Sequence, residues 1–132
     1  MFTRDQAQKL AEKVLSYSTF PECSVALNSS EHLSVRFANN GITTSGFIVK
    51  RSVEVTSSRD QKSGSTSTDS IDDDALRAAV KRSEELAEIT PPDPEHMPPL
   101  GPQQYPAVDN WAEETAQARS PEIIPQIRTI TG

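Results

Sequence analysis

The sequence offers few side chains that could carry out catalysis or hold a metal ion. Its two histidines, His32 and His96, stand alone in segments predicted as loops, and neither belongs to an H-E-x-x-H pattern. The single cysteine, Cys23, excludes an internal disulfide and a cysteine-rich zinc site. We therefore predict no catalytic residue, no cofactor-binding residue and no metal ligand within this chain.

Other patterns share only the composition of reactive motifs. The run Asp72-Asp73-Asp74 lacks the spacing and the central glycine of a calcium loop, so it indicates the charged start of a helix. The serines fall in no nucleophile motif, and the glycines form no phosphate-binding loop. A small basic group on a predicted sheet is diluted by nearby glutamates and is interpreted as surface charge: Arg36, Lys50 and Arg51.

Charge and composition exclude further classes of function. Thirteen Lys and Arg against nineteen Asp and Glu give a net charge of −6. Proteins that bind nucleic acid cluster their cations against phosphates, so we predict no direct contact with nucleic acid. The N-terminal residues lack the apolar region of a secretory signal, and no apolar run reaches the roughly 18 residues of a membrane span. These features predict a cytoplasmic protein that does not contact membranes.

Helical periodicity predicts two helices. Apolar residues spaced at i, i+3, i+4 and i+7 predict the first helix over about residues 4–17, and Thr3 with Gln6 has the spacing of a capping box. The second helix is predicted over about residues 73–89, after an N-cap at Asp72 and before Pro91. Its buried stripe comprises Leu76, Ala79, Val80, Ser83, Leu86 and Ala87.

Between the helices the apolar pattern has a period of two, which is typical of strands. Turns are predicted at residues 28–31, 39–41 and 59–62, and the strand over residues 42–49 either ends there or continues through Val53 and Val55. Residues 1–90 are therefore predicted to form an α+β domain. Its sheet is an antiparallel β-meander of three to five strands, with an N-terminal and a C-terminal helix packed on one face.

Residues 91–132 are predicted as a Pro-rich, extended connecting segment that leads to an absent C-terminal domain. Seven prolines fall within residues 91–106, and proline can neither continue a helix nor pair within an inner strand. A short polar helix is predicted over about residues 110–118, capped by Asp109, and Pro125 is predicted to break a later helix. Tyr105 and Trp111 either anchor this segment on the core or dock on another chain.

The order of three motifs is similar to that of the TldD/PmbA family, whose members are also called modulators of DNA gyrase. The motifs are RFANNGIT at residues 36–43, GSTSTD at residues 64–69 and AEITPPDP at residues 87–94. The resemblance covers about residues 5–105 and implies the N-terminal α+β domain of a larger protein. The stretch GPQQY at residues 101–105 resembles PmbA-like rather than TldD-like members.

The resemblance implies a metallopeptidase-like parent whose zinc, where present, is held by an H-E-x-x-x-H helix in the missing domain. Many PmbA-like members lack that motif, so the activity of the parent stays open. The implied role of this domain is to help enclose a peptide or an unfolded protein segment and to contact a TldD/PmbA-type partner subunit or a second copy. An exposed sheet edge would allow a peptide to add as a strand. The candidate contact residues are Arg36, Asn39, Asn40, Tyr105 and Trp111.

One alternative stays open. The chain could instead be a stand-alone interaction or regulatory module that binds gyrase or a toxin–antitoxin component. The sequence beyond Gly132 would separate the two hypotheses, because a further Gly-rich domain indicates a protease or its partner subunit, whereas a stop codon indicates an independent module.

Overall fold

The computed structural model describes residues 2–39 and 41–131. Three strands form one antiparallel sheet in the order β1-β2-β3, which confirms the predicted α+β class at the lower end of the predicted strand number. The elements in chain order are α1 (Arg4–Leu15), β1 (Glu22–Ala38), β2 (Gly41–Arg59), β3 (Lys62–Thr68), α2 (Asp73–Ile89), α3 (Glu113–Gln117) and α4 (Ser120–Thr131).

The first strand corrects one prediction. No turn forms at residues 28–31, because β1 runs without interruption from Glu22 to Ala38. Asn28 and Ser30 are exposed whereas Ser29 faces inward, so these polar residues keep the alternation of the strand. A turn here would have moved Leu33 and Val35 out of register with the preceding residues. The strand over residues 42–49 continues through Val53 and Val55 as β2, which is one of the two predicted alternatives.

Two tight turns join the strands where the sequence predicts them. Asn39, between β1 and β2, has a φ of 51°. Asp60 and Gln61 have φ values of 52° and 63°, and they connect the last pair of the β2–β3 ladder, Arg59 and Lys62. Positive φ at both residues of a two-residue loop matches the right-handed twist of the flanking strands. These turns therefore favour hairpins between consecutive strands.

The chain divides into two compact units. Unit 1 consists of Met1–Ser30 and Lys50–Gly101, and unit 2 consists of Glu31–Val49 and Pro102–Gly132. The apolar core lies in unit 1, where α1 and α2 pack against the sheet. Its buried members are Val14, Val53, Val55, Leu76, Ala79 and Val80, with Leu10, Tyr17, Cys23, Val25 and Leu27 partly buried around them. The predicted stripe of α2 is confirmed except at Leu86, which is half-buried.

The edge strand β3 approaches α2 closely at Gly64. A Cβ atom on Gly64 would lie 2.3 Å from the Ser83 carbonyl oxygen and 2.4 Å from the Ala87 nitrogen. The buried hydroxyl of Ser83 hydrogen-bonds to the Ser57 hydroxyl at 2.7 Å and donates to the Val80 carbonyl at 2.8 Å. The lack of a side chain at Gly64 therefore allows α2 to pack closely against β3, and the hydrogen bonds of Ser83 satisfy its buried hydroxyl.

Glu84 of α2 holds the segment that follows α1. Its carboxylate accepts hydrogen bonds from the Thr19 backbone N–H at 2.7 Å and from the Ser18 and Thr19 hydroxyls at 3.0 Å each. Partial burial opposes ionisation of this group, but the hydrogen bonds to the charged form outweigh it and lower the pKa of Glu84 below its ordinary value. The carboxylate thus contributes to stability in its ionised form.

We expect Glu84→Gln to lower the free energy of unfolding at neutral pH by about 1 kcal/mol, since an amide accepts weaker hydrogen bonds and the site is partly exposed. Because the pKa of the folded state lies below that of the unfolded state, the stabilisation is present above the unfolded pKa. It is lost as pH falls through the folded pKa. Denaturant unfolding across a pH series should show the two proteins converging in acid. If the difference in free energy of unfolding between the two proteins did not change with pH, the stabilising role of the ionised Glu84 carboxylate would be contradicted.

The first residues of the Pro-rich segment form hydrogen bonds with other residues of unit 1. The Asp93 N–H donates to the Gln61 carbonyl at 2.8 Å, and His96 Nε2 lies 2.9 Å from Glu22 Oε2. The division at residue 90 stays a prediction, as does the role of the later residues as a connecting segment. No helix among the described residues is long and apolar enough to cross a membrane.

The helices of the final residues differ from their predicted form. Helix α3 is short, and its N-cap is Ala112 rather than Asp109. The predicted break at Pro125 is wrong, because α4 continues past it to Thr131. A proline inside a helix removes one backbone donor, which costs stability without always ending the helix.

Candidate functional site

Among the residues that the structure describes, no strand pairs with one side of β2 over much of its length. The ladder between β2 and β3 begins at Val53 paired with Thr68 and ends at Arg59 paired with Lys62. Within the described part of the sheet, β2 therefore extends from Gly41 to Ser52 beyond β3, with β1 on its other side. We call the backbone of residues 41–49, which lies in unit 2, the open edge. Such an edge presents N–H and C=O groups to which an extended chain can pair.

The hairpin that carries the open edge also exposes large apolar side chains. Phe47, Ile48 and Val49 follow one another and are each 48–49% exposed, so both faces of β2 are apolar here. Phe37 and Ile42 are 45% and 37% exposed at the end of the same hairpin. Contiguous exposed apolar residues mark interaction surfaces more often than scattered ones do. This hairpin is therefore a candidate contact surface.

The structure places two of the predicted contact residues on this hairpin. Arg36 is exposed on β1 and lines a groove of about 530 Å³ with Ser34, Val35, Phe37 and Thr44, while Thr43 Oγ1 donates to its carbonyl at 3.2 Å. Asn39 occupies the turn in the left-handed conformation. Asn40 lies outside the described residues. The assignment of Arg36, Asn39 and Asn40 to peptide or partner contacts stays a prediction.

The other two predicted contact residues lie in the segment before α3. Tyr105 is 85% exposed, and Trp111 is 55% exposed. Trp111 Nε1 donates a hydrogen bond to Glu113 Oε2 at 2.7 Å, and this bond, with a second one from Gln117, lowers the pKa of Glu113. Within unit 2, the guanidinium of Arg119, which lies between α3 and α4, is 5.4 Å from the centre of the Phe47 ring of the hairpin. A role of Tyr105 or Trp111 in binding stays a prediction.

A second candidate surface, in unit 1, was not predicted from the sequence. A groove of about 550 Å³, which we call the basic groove, is lined by Phe2, Gln6, Lys9, Leu10, Lys13, Arg51 and Ile71. Lys13 forms an ion pair with Asp73 of α2, and the Arg51 guanidinium lies 5.4 Å from the centre of the Phe2 ring. The sequence contains a signal for this site, because a period of two places Arg51 on the same face of β2 as the buried Val53 and Val55.

The described residues do not fit a catalytic zinc site. No group of three or more His, Cys, Asp or Glu residues in the described part of the chain could hold a metal ion. His96 Nε2 faces the Glu22 carboxylate, and Cys23 packs against the core. A catalytic zinc needs three protein ligands that converge on one point. We therefore derive no metal-dependent step from this chain.

Metal analysis of the purified chain should find far less than one zinc per molecule after any affinity tag is removed. The reason is the missing ligand set, since neither histidine lies in a cluster with other donors among the described residues. Treatment with a chelator should leave the denaturant midpoint unchanged. A tightly held zinc in equal amount to the protein would show that a site has been overlooked.

Three comparisons with known proteins bear on the family of this chain. The family described as PmbA/TldA metallopeptidase domain 1 matches residues 23–87, which run from β1 through most of α2. A comparison with curated proteins gave no significant match.

Among solved structures, the crystal structure of TldE from Thermococcus kodakarensis is similar, with a TM-score of 0.72 and 17% sequence identity over 89% of this chain. At that identity the likeness shows a shared fold. The chain spans about a quarter (26%) of the length of that protein.

The matched residues hold the central hairpin, the edge strand and the helix that packs on it, in the order that the sequence motifs indicated. The fold of the wider chain agrees with that of TldE. Residues 23–87 therefore match the first domain of the PmbA/TldA metallopeptidase family, and together with the shared fold this supports an N-terminal domain of the TldD/PmbA type.

Proposed function

We propose that this domain helps to enclose an extended peptide segment and to join its parent protein to a partner subunit or a second copy. The observation that carries the peptide role is the open edge. On the side of β2 away from β1, its backbone N–H and C=O groups have no strand partner among the described residues, so an extended peptide would pair there as a further strand. Backbone hydrogen bonds would bind peptides of varied sequence, as an enclosing domain requires.

The apolar side chains of the hairpin support the contact with a partner. Phe47, Ile48 and Val49 expose apolar surface on both faces of β2. A peptide strand would use the backbone of the edge, whereas a partner subunit would cover the faces. The two roles therefore use different atoms of the same hairpin.

Hydrogen exchange on the whole chain tests the peptide role. A set of unstructured peptides, added in excess, should slow the exchange of amides within residues 41–49, because strand addition protects the outward N–H groups. Residues 53–59 serve as the internal control, since β3 already pairs with them. Unchanged exchange at residues 41–49 with all peptides, or equal slowing at residues 53–59, would contradict strand addition at the open edge.

Oligomeric state tests the contact role. The Phe47→Ser and Val49→Ser double variant should bind a copurified partner subunit less tightly, because both changes remove apolar area from one face of β2. If the partner is a second copy of the chain, the dimer should dissociate more readily. Thr43→Ser is the control, since Thr43 is exposed on the same strand and the change keeps its hydroxyl. Equal association of both variants would contradict a contact through this face.

A further inference from the structure

The basic groove concentrates positive charge in an acidic chain. Three of its lining residues are cationic and none is a carboxylate, whereas the whole sequence has a net charge of −6. Lys13 is neutralised by Asp73. Among the described residues, Lys9 has no ion-pair partner, and Arg51 contacts only the Phe2 ring through its guanidinium. Two uncompensated cations therefore face one groove and create a local potential that attracts anions.

Two regular elements position these cations. Lys9 and Lys13 are four residues apart on α1 and so lie on one side of that helix, next to Leu10. Arg51 lies on the face of β2 that also presents Val53 and Val55 to the core. Positions on a helix and a strand are fixed by the packing of the core, so the backbone sites that carry these side chains are set before a ligand arrives.

Apart from Gln6, the rest of the groove is apolar. Phe2, Leu10 and Ile71 contribute its apolar wall, and Ile71 is 44% exposed. The volume of about 550 Å³ lies within the range of ligand sites and far exceeds that of a small inorganic ion, given that one water occupies about 30 Å³. A ligand that fills the groove must therefore combine negative charge with apolar surface. Two uncompensated cations are too few to neutralise the successive phosphates of a nucleic acid.

We propose that the basic groove binds an acidic peptide segment in which an aromatic or aliphatic residue adjoins a carboxylate. The guanidinium of Arg51 suits a carboxylate because its planar N–H groups can donate two parallel hydrogen bonds. Lys9 adds a second donor from α1, and the apolar wall covers the neighbouring side chain. This binding is independent of strand addition at the open edge, so either can fail alone.

Fluorescence polarisation with a labelled peptide of sequence Gly-Phe-Asp-Leu-Glu-Gly tests the proposal on the whole chain. The Lys9→Ala and Arg51→Ala double variant should weaken binding by about tenfold or more, because both charge contacts with the carboxylates of the peptide are lost. Lys50→Ala is the matched control, since Lys50 adjoins Arg51 but points to the opposite face of β2. It should change the affinity by less than about twofold, as exposed charges usually do.

Two further arms separate the acidic peptide from other occupants. The same peptide with Asn and Gln in place of Asp and Glu should bind more weakly than the acidic one by about tenfold. Inorganic phosphate at matched ionic strength should not displace the acidic peptide. Equal binding of the amide peptide, equal loss in Lys50→Ala, or full displacement by phosphate would overturn the proposal. Thermal unfolding of each variant confirms that it is folded before binding is measured.

Discussion

A Gly64→Ala variant should unfold at a much lower denaturant concentration than the parent chain. The added Cβ would lie 2.3 Å from the Ser83 carbonyl oxygen and 2.4 Å from the Ala87 nitrogen. Both are backbone atoms of α2, so no side chain can rotate away, and the helix itself must move. Overpacking usually lowers the free energy of unfolding by about 1–3 kcal/mol and sometimes by more. We expect a loss of about 3 kcal/mol or above for Gly64→Ala. The whole free energy of unfolding of a small domain is only about 5–15 kcal/mol.

Gly46→Ala is the matched control for this prediction, because it makes the same change in another strand. A Cβ on Gly46 would meet only the Ser34 hydroxyl, at 3.4 Å, which is ordinary contact. Its effect should be small or slightly stabilising, since alanine loses less backbone entropy on folding. Circular dichroism during denaturant unfolding measures both variants. Similar midpoints for the two would mean that α2 does not press on β3 at Gly64.

A Leu76→Ala variant should lose about 2–5 kcal/mol of stability, the usual cost of truncating a fully buried leucine. The Leu76 side chain is 0% exposed and packs with Val14 of α1 and Val53 of β2 in the same cluster. Truncation therefore leaves a cavity where three elements meet. Denaturant unfolding should show a clearly lower midpoint with an unchanged slope.

Lys81→Ala is the appropriate control on the same helix. The Lys81 side chain is 79% exposed, and its contact with Glu85 at 3.8 Å is a weak surface pair. Arg77, which the helical pattern alone would recommend as a control, is unsuitable because its guanidinium lies 4.0 Å from the centre of the Tyr17 ring. If Lys81→Ala destabilised the chain as much as Leu76→Ala, the buried face of α2 would be misassigned.

The helices were predictable because their signals are local. The capping box between Thr3 and Gln6 forms as its spacing predicts, with both hydrogen bonds present. Helix α2 spans Asp73–Ile89 as its periodicity and the prolines after it indicate. Caps, periodicity and prolines act within a few residues, so the sequence states them directly.

The length of the strands was not predictable from local signals. The polar residues around Ser29 have turn composition, yet β1 continues through them because pairing with β2 decides the outcome. The basic groove was missed for the same reason, since Lys9 and Arg51 are far apart in the sequence and meet only when α1 packs on the sheet. The family motifs indicated the fold, but they carried no information about this groove.

The order of the strands in the sheet, which is the same as their order in the chain, has a consequence for the speed of folding. Each strand pairs with the next one through a tight turn, so the ladders close short loops at little entropic cost. The distant step is the arrival of α1 together with the segment after it, in which Ser18 and Thr19 hydrogen-bond to Glu84 of α2 across more than sixty residues. We expect the hairpins and α2 to form first and α1 to dock later. In stopped-flow measurements, Glu84→Gln should then unfold faster and refold at a nearly unchanged rate. Slower refolding of this variant would show instead that α1 docks before the transition state.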